Sequence, residues 1–294
     1  MGEQNLAGKV VLVTGANSGI GKATAMQLAR MGATTILACR HIAKARQTEE
    51  EIRRVNCNDA VCVVELDLGD LRSVDRCASE VIASTNGIDV LINNAGATFP
   101  SRALTPQGFE QTFAVNHLGH YVLTRLLLHH LRRKPQARVI SVSSNGYKFV
   151  KGIRWDDLTF ERRYSTIAAY ANAKLAQVLF TRELAHRYGE TGVFAHAVHP
   201  GFVGSNFYKS AGSGFSARAL GLVVRWFAKS PEQGAETTLY LASSDDAICT
   251  NGGYWARCEP ASPSKAATDD DAAKRLWDLS QQLVADAGMA LPQS

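Results

Sequence analysis

The chain has 294 residues, 46% of them hydrophobic and 20% charged, with a formal net charge of +5. That balance describes one large domain with a sizeable core and excludes a disordered or fibrous chain. The positive charge is mild and spread out, apart from the short clusters at 131–134 (LRRK) and 161–163 (ERR), so no nucleic-acid-binding stripe is expected.

No run of about 18 apolar residues occurs, and the N-terminal stretch lacks an apolar signal core, so neither a membrane span nor a secretory leader is expected. Six cysteines, at 39, 57, 62, 77, 249 and 258, show no CxxC spacing and no histidine partner at metal-ligand spacing. They read as reduced thiols in the cytoplasm, with Cys39 and Cys62 inside apolar runs, and no metal site is expected.

In chain order, the segments 9–15, 34–40, 60–67, 89–96, 138–144 and 193–201 are short, near-continuous apolar runs. Parallel strands buried on both faces read this way. Helical patterns separate them, among them 21–32, 43–55 and 168–189. The alternation predicts right-handed βαβ crossovers and an α/β fold: one Rossmann-type doubly wound parallel sheet, a single domain over 1–294. Ligands of such sheets bind beyond the carboxyl ends of the strands, which here carry TG, CR, LD, NNAG, SS and HPG.

The first of those ends continues as TGANSGIG and opens a helix. Gly15, Gly19 and Gly21 permit a tight turn and close backbone approach to a phosphate. Asn17, Ser18 and Ile20 complete the loop, and the helix N-terminus offers free N–H groups to a pyrophosphate. The second strand ends at Arg40, with no Asp or Glu between Ala33 and Gln47. An acidic residue there would suit the ribose hydroxyls of NAD; an arginine accommodates the 2′-phosphate of NADP, so NADP(H) is expected.

Further along, Tyr170 and Lys174 stand one helical turn apart in YANAK and share a face. With the glycine turn, NNAG (93–96), the serine pair 143–144 and YANAK in this order, the chain resembles the short-chain dehydrogenase/reductase superfamily over nearly its full length. The segments ILACR, NHLGHYVLT, KLAQVLFTRELA and AAKRLWDLSQQL are similar to its retinol dehydrogenase branch. One departure is the alanine before Lys174, where that branch typically has serine.

The resemblance implies roles. Tyr170 would be the general acid/base, Lys174 its electrostatic partner and a ribose ligand, and Ser144 (rather than its neighbour Ser143) the group that bonds the substrate oxygen. Asn116 would hold a water in the proton relay. Asp67 and Leu68 would meet the adenine, Asn94, Ala95 and Gly96 the adenosine side. Pro200, Gly201, Val203 and Ser205 would line the nicotinamide. The implied activity is NADP(H)-dependent interconversion of a small lipophilic alcohol with its aldehyde or ketone. A steroid or polyketide-like ketone reductase and a non-catalytic NADP(H) sensor are the alternatives. The long helices around 110–133 and 166–188 form dimer or tetramer faces in related proteins, so a homodimer or homotetramer is possible by analogy. A substrate lid is expected at 207–230, where Gly212 and Gly214 could act as hinges beside a large apolar run; the alternative is a helix packed permanently on the core.

Overall fold

The computed structural model describes residues 5–201 and 230–292. The expected lid at 207–230 lies outside them except for Ser230, and so do Val203 and Ser205.

The apolar runs form the strands β1 (Val10–Thr14), β2 (Thr34–Cys39), β3 (Val61–Glu65), β4 (Val90–Asn93), β5 (Ala137–Val142) and β6 (Val193–Val198). Two short strands that the sequence pattern does not announce, β7 (Tyr254–Ala256) and β8 (Glu259–Pro260), complete one eight-stranded sheet in the order β3-β2-β1-β4-β5-β6-β7-β8. All pairings are parallel except β7 with β8. The order reverses between β1 and β4, which opens a crevice at their carboxyl ends.

Side-chain alternation sends successive residues to opposite faces. Leu12, Ile36, Leu91 and Val139 join one core; Val11, Val13, Leu37, Ile92 and Ile140 join the other. The first core is covered by α3 (Leu71–Ser84), α5 (Gly119–Leu131), α6 (Thr166–Tyr188) and α8 (Asp270–Asp286), the second by α1 (Gly19–Arg30), α2 (Ile42–Asn56) and α7 (Pro231–Ser243). Fully burying each such aliphatic side chain contributes about 1.5–3 kcal/mol, which is why both faces need helices. The run 60–67 is an exception to two-sided burial. As the edge strand, β3 leaves Cys62 and Glu65 exposed, so Cys62 is not the core residue its apolar context suggests. Cys39 and Cys77 are buried, and all six cysteines are free thiols.

Helix ends differ in a way that bears on the site. The N-termini of α3, α6, α7 and α8 are closed by side chains of Asp70, Ser165, Ser230 and Asp269, with a full capping box between Ser230 and Gln233. Those of α1 and α2 carry no side-chain cap and no acidic residue in the first turn. Among the described residues no helix is long and apolar enough to cross a membrane.

Candidate active site

The glycine turn is held by contacts that tolerate no side chain at Gly21. A Cβ on Gly21 would lie 2.4 Å from both Asn94 Nδ2 and Gly15 O, and Gly15 itself has φ +67°. A Cβ on Gly19 would meet nothing within 4 Å, so the turn is packed beneath Gly21 and open at Gly19. Asn94 ties the turn to β4: Asn94 Nδ2 donates to Thr14 O at 2.8 Å. The backbone N–H groups of Asn94 and Ala95 both donate to Thr14 Oγ1 at 2.9 Å. One buried threonine thus joins the ends of the two central strands.

His120 extends this network. Its Nε2 lies 3.0 Å from Thr14 Oγ1 and its Nδ1 3.2 Å from Asn116 O. Burial pulls its pKa down to about 3, so the ring is neutral at physiological pH. Nδ1–H then donates to the Asn116 carbonyl while Nε2 accepts from Thr14. Asn116 sits in a π-type turn, Ala114–Leu118, between the short helix α4 (Gln111–Phe113) and α5. Its side chain explains the turn. Asn116 Nδ2 donates to Thr112 O at 2.8 Å, occupying a carbonyl that a regular α-helix would give to a backbone N–H. The same amide pairs with Ala97, donating to its carbonyl and accepting from its N–H.

The two serines at the end of β5 diverge as strand alternation requires. Ser143 is buried and its Oγ donates to Lys174 O at 2.9 Å, whereas Ser144 is half-buried and its Oγ accepts from Gly146 N–H. Ser144 Oγ and Tyr170 Cε1 each lie 3.4 Å from the point a Cβ on Gly146 would occupy, so the hydroxyl and the phenol ring share one small space. Lys174 Nζ stands 5.6 Å from the Tyr170 ring centroid and donates to Val142 O (2.9 Å) and Gln177 Oε1 (2.7 Å). A Cβ on Gly96 would lie 3.2 Å from that Nζ and 2.8 Å from Asn116 Oδ1. Burial pulls the Lys174 pKa down to about 7.

Ser144, Tyr170, Lys174, Asn116 and Gly96 therefore converge at the carboxyl ends of β4 and β5. Arg40 lies further out, exposed beyond β2, at a cavity of about 430 Å³ lined by Arg40, His41, Ile42, Ala43 and Lys44. Asp67 Oδ1 accepts from Gly69 N–H in its own turn, and the Leu68 side chain is in the core rather than in the crevice. Pro200 and Gly201 (φ +89°) follow β6. Gly201 and His199 border a second cavity of about 560 Å³ with Asn145, Lys148 and Tyr254. His199 serves the turn, accepting from Asn145 N–H at Nδ1. Among the described residues no cluster of His, Cys, Asp and Glu could hold a metal ion. Sequence reasoning did not single out Thr14, His120 as a structural link, or Gln177. The one available signal was the spacing of His120 from Asn116, one turn apart.

A crossover sheet with a glycine turn under an uncapped helix, and a serine, tyrosine and lysine at the next strand ends, defines a nucleotide-binding oxidoreductase. The profile of the short chain dehydrogenase family matches residues 9–214, and the chain belongs to that family. It is 41% identical over 288 residues to mouse (Mus musculus) retinol dehydrogenase 14, covering 94% of this chain and 86% of the relative. It is 42% identical over 279 residues to mouse retinol dehydrogenase 12, covering 95% and 87%. Among solved structures, an uncharacterised protein from Mycobacterium paratuberculosis superposes with a TM-score of 0.75 at 38% identity, over 98% of this chain and 97% of that one. The chain thus lies in the retinol dehydrogenase branch of a family of oxidoreductases that use a nicotinamide cofactor.

Proposed function

We propose that the protein is an NADP(H)-dependent oxidoreductase that interconverts an apolar alcohol and its aldehyde or ketone. The observation that carries the reading is the Tyr170–Lys174 pair: a half-buried phenol beside a buried ammonium, with Ser144 Oγ facing the same space. The glycine turn fits a dinucleotide, since it is open at Gly19 and the uncapped N–H groups of α1 suit a pyrophosphate. Arg40, His41 and Lys44, at the uncapped start of α2, suit the additional phosphate of NADP.

When bound, the nicotinamide supplies or removes a hydride at the carbinol carbon. In the reductive direction Ser144 Oγ–H donates to the carbonyl oxygen and orients it. As the C=O π electrons move onto oxygen, Tyr170 delivers its phenolic proton there and is left as phenolate. In the oxidative direction that phenolate accepts the alcohol proton. A free tyrosine has a pKa of about 10, and the Lys174 charge shifts the balance toward the phenolate. Asn116 holds Ala97 and the loop around Gly96, keeping the wall next to Lys174 in place.

An apolar substrate is supported by two exposed residues that neighbour Ser144 and Tyr170 along the chain. Phe149 and Ile167 are 78% and 68% exposed, the highest values among the described large hydrophobic side chains. Phe149 ends the short turn that starts beside Ser144, and Ile167 lies one helical turn before Tyr170 on the same face. Each presents apolar surface to an arriving carbonyl compound. The test is NADPH oxidation against a panel of aldehydes and ketones, with Tyr170→Phe as control. Turnover should fall at least about a hundredfold in Tyr170→Phe, the scale of lost general-acid catalysis, while NADPH still binds. Near-normal turnover in that variant rejects the mechanism.

A further inference from the structure

Gln177 lies three residues beyond Lys174 on α6, is 1% exposed, and has an amide split between two situations. Its Oε1 accepts from Lys174 Nζ at 2.7 Å, whereas its Nε2 has no hydrogen-bond partner among the described residues. The orientation is fixed by chemistry, because a flipped amide would set N–H groups against an ammonium. A buried, unpartnered N–H₂ is a cost that an apolar residue would avoid, so its retention calls for a use of the oxygen.

That use follows from what surrounds the lysine. Its two acceptors, Val142 O and Gln177 Oε1, are both uncharged, and no carboxylate among the described residues forms an ion pair with it. The titratable groups that face it are Tyr170 on its own helix and His120 from α5. From β5 it meets the Val142 carbonyl, and from the loop after β4 Gly96, both uncharged. A carboxylate in place of the amide would hold the ammonium equally well and neutralise its effect on the phenol. We propose that Gln177 is a positioning residue for Lys174, fixing the ammonium through a neutral oxygen so that its whole charge acts on Tyr170. The inference rests on the reading of Tyr170 and Lys174 as the proton-transfer pair.

Gln177→Glu and Gln177→Met separate charge from geometry at nearly constant size. In Gln177→Glu the limb of alcohol oxidation that rises with pH should move upward by about one unit, as an opposite charge offsets the ammonium beside Tyr170. The Lys174 titration midpoint, followed by NMR with lysine labelled with ¹³C at Cε, should rise by at least about one unit in the same variant. Gln177→Met should lower kcat about tenfold through a loosened lysine, with KM for the alcohol little changed and the lysine midpoint moved down. Should Gln177→Met lack a cooperative melt, Gln177→Glu decides alone. Coincidence of both its oxidation limb and its lysine midpoint with those of the parent overturns the proposal. A parent that turns over no alcohol or carbonyl compound would instead reject the dehydrogenase reading, while the lysine midpoint still reports on the Gln177 contact.

Discussion

His117 and His120 are buried on consecutive turns, and burial pulls both pKa values down to about 3. An unfolded histidine titrates near 6.5, so between about 6.5 and 3 the unfolded chain takes up protons that the folded one refuses. The two histidines therefore take nothing from stability above about pH 6.5 and remove it as pH falls, by up to about 3 kcal/mol per pH unit together. The urea midpoint should already decline from pH 8 to 7, because the folded Lys174, held down to about 7, refuses a proton that the unfolded lysine takes up. It should drop clearly from pH 7 to 5.5, before most carboxylates titrate. A midpoint unchanged over that range would contradict the neutral His120 on which the Thr14–Asn116 link depends. Arg40 gives a second prediction at this scale. If it meets a 2′-phosphate, Arg40→Asp replaces attraction by repulsion, and the ratio of kcat/KM for NADPH over NADH should fall at least about tenfold. Equal kcat/KM for the two cofactors in the parent would remove Arg40 from the site. The Tyr170–Lys174 pair was legible because helical spacing puts both on one face and because the glycine turn, NNAG and the serine pair precede it in family order. Gln177 and Thr14 were not, since their roles come from contacts to Lys174 and to a neighbouring strand end.

At the scale of elements, the six long strands and their helices follow from apolar runs and helical periods, with boundaries off by a few residues. β7 and β8 escaped because three and two residues carry no period, and they exist through pairing to β6 and to each other. The π-type turn was equally invisible, because it depends on the Asn116 amide capturing a carbonyl. The glycine turn was visible, yet its most constrained member could not be told from spacing. Gly21→Ala would drive a Cβ into Asn94 Nδ2 and Gly15 O, at an overpacking cost of about 1–3 kcal/mol. Gly19→Ala meets open space, and its cost is confined to the strain of φ +52°, roughly 1 kcal/mol. The two variants should separate by thermal melting, with Gly21→Ala the lower. Both should bind NADPH more weakly, Gly21→Ala by displacing the NNAG loop and Gly19→Ala by placing a methyl group in the phosphate cradle. Equal melting temperatures would mean that Asn94 can move aside without cost.

For the whole molecule, the decisive element is α8, because it packs on α5 and α6, the helices that the resemblance marks as expected assembly faces. Trp277 on α8 stacks on Phe180 at a ring separation of 5.9 Å and meets Tyr121 edge-on at 5.1 Å, with the guanidinium groups of Arg125 and Arg187 over its ring. His117 pairs with Ser280, Arg182 with Asp270 and Arg187 with Asp278, and Arg125 donates to the Pro292 carbonyl. Ion pairs this exposed contribute little, whereas the aromatic contacts bury large apolar area, so Trp277 is the anchor. Trp277→Ala should cost about 3–5 kcal/mol and lower the melting temperature accordingly. Because a partner's helices cannot use surface that α8 already covers, the full chain should sediment as a monomer, or as an assembly that leaves α5 and α6 out of its interface. Deleting residues 269–294 would uncover Tyr121, Phe180 and Tyr188 together, and an apolar patch of that kind promotes self-association. The deleted chain should therefore sediment faster or precipitate, while full-length Trp277→Ala keeps the parent's assembly state but melts earlier. A full-length dimer whose cross-links map between α5 and α6 of two copies would show that α8 moves away in solution.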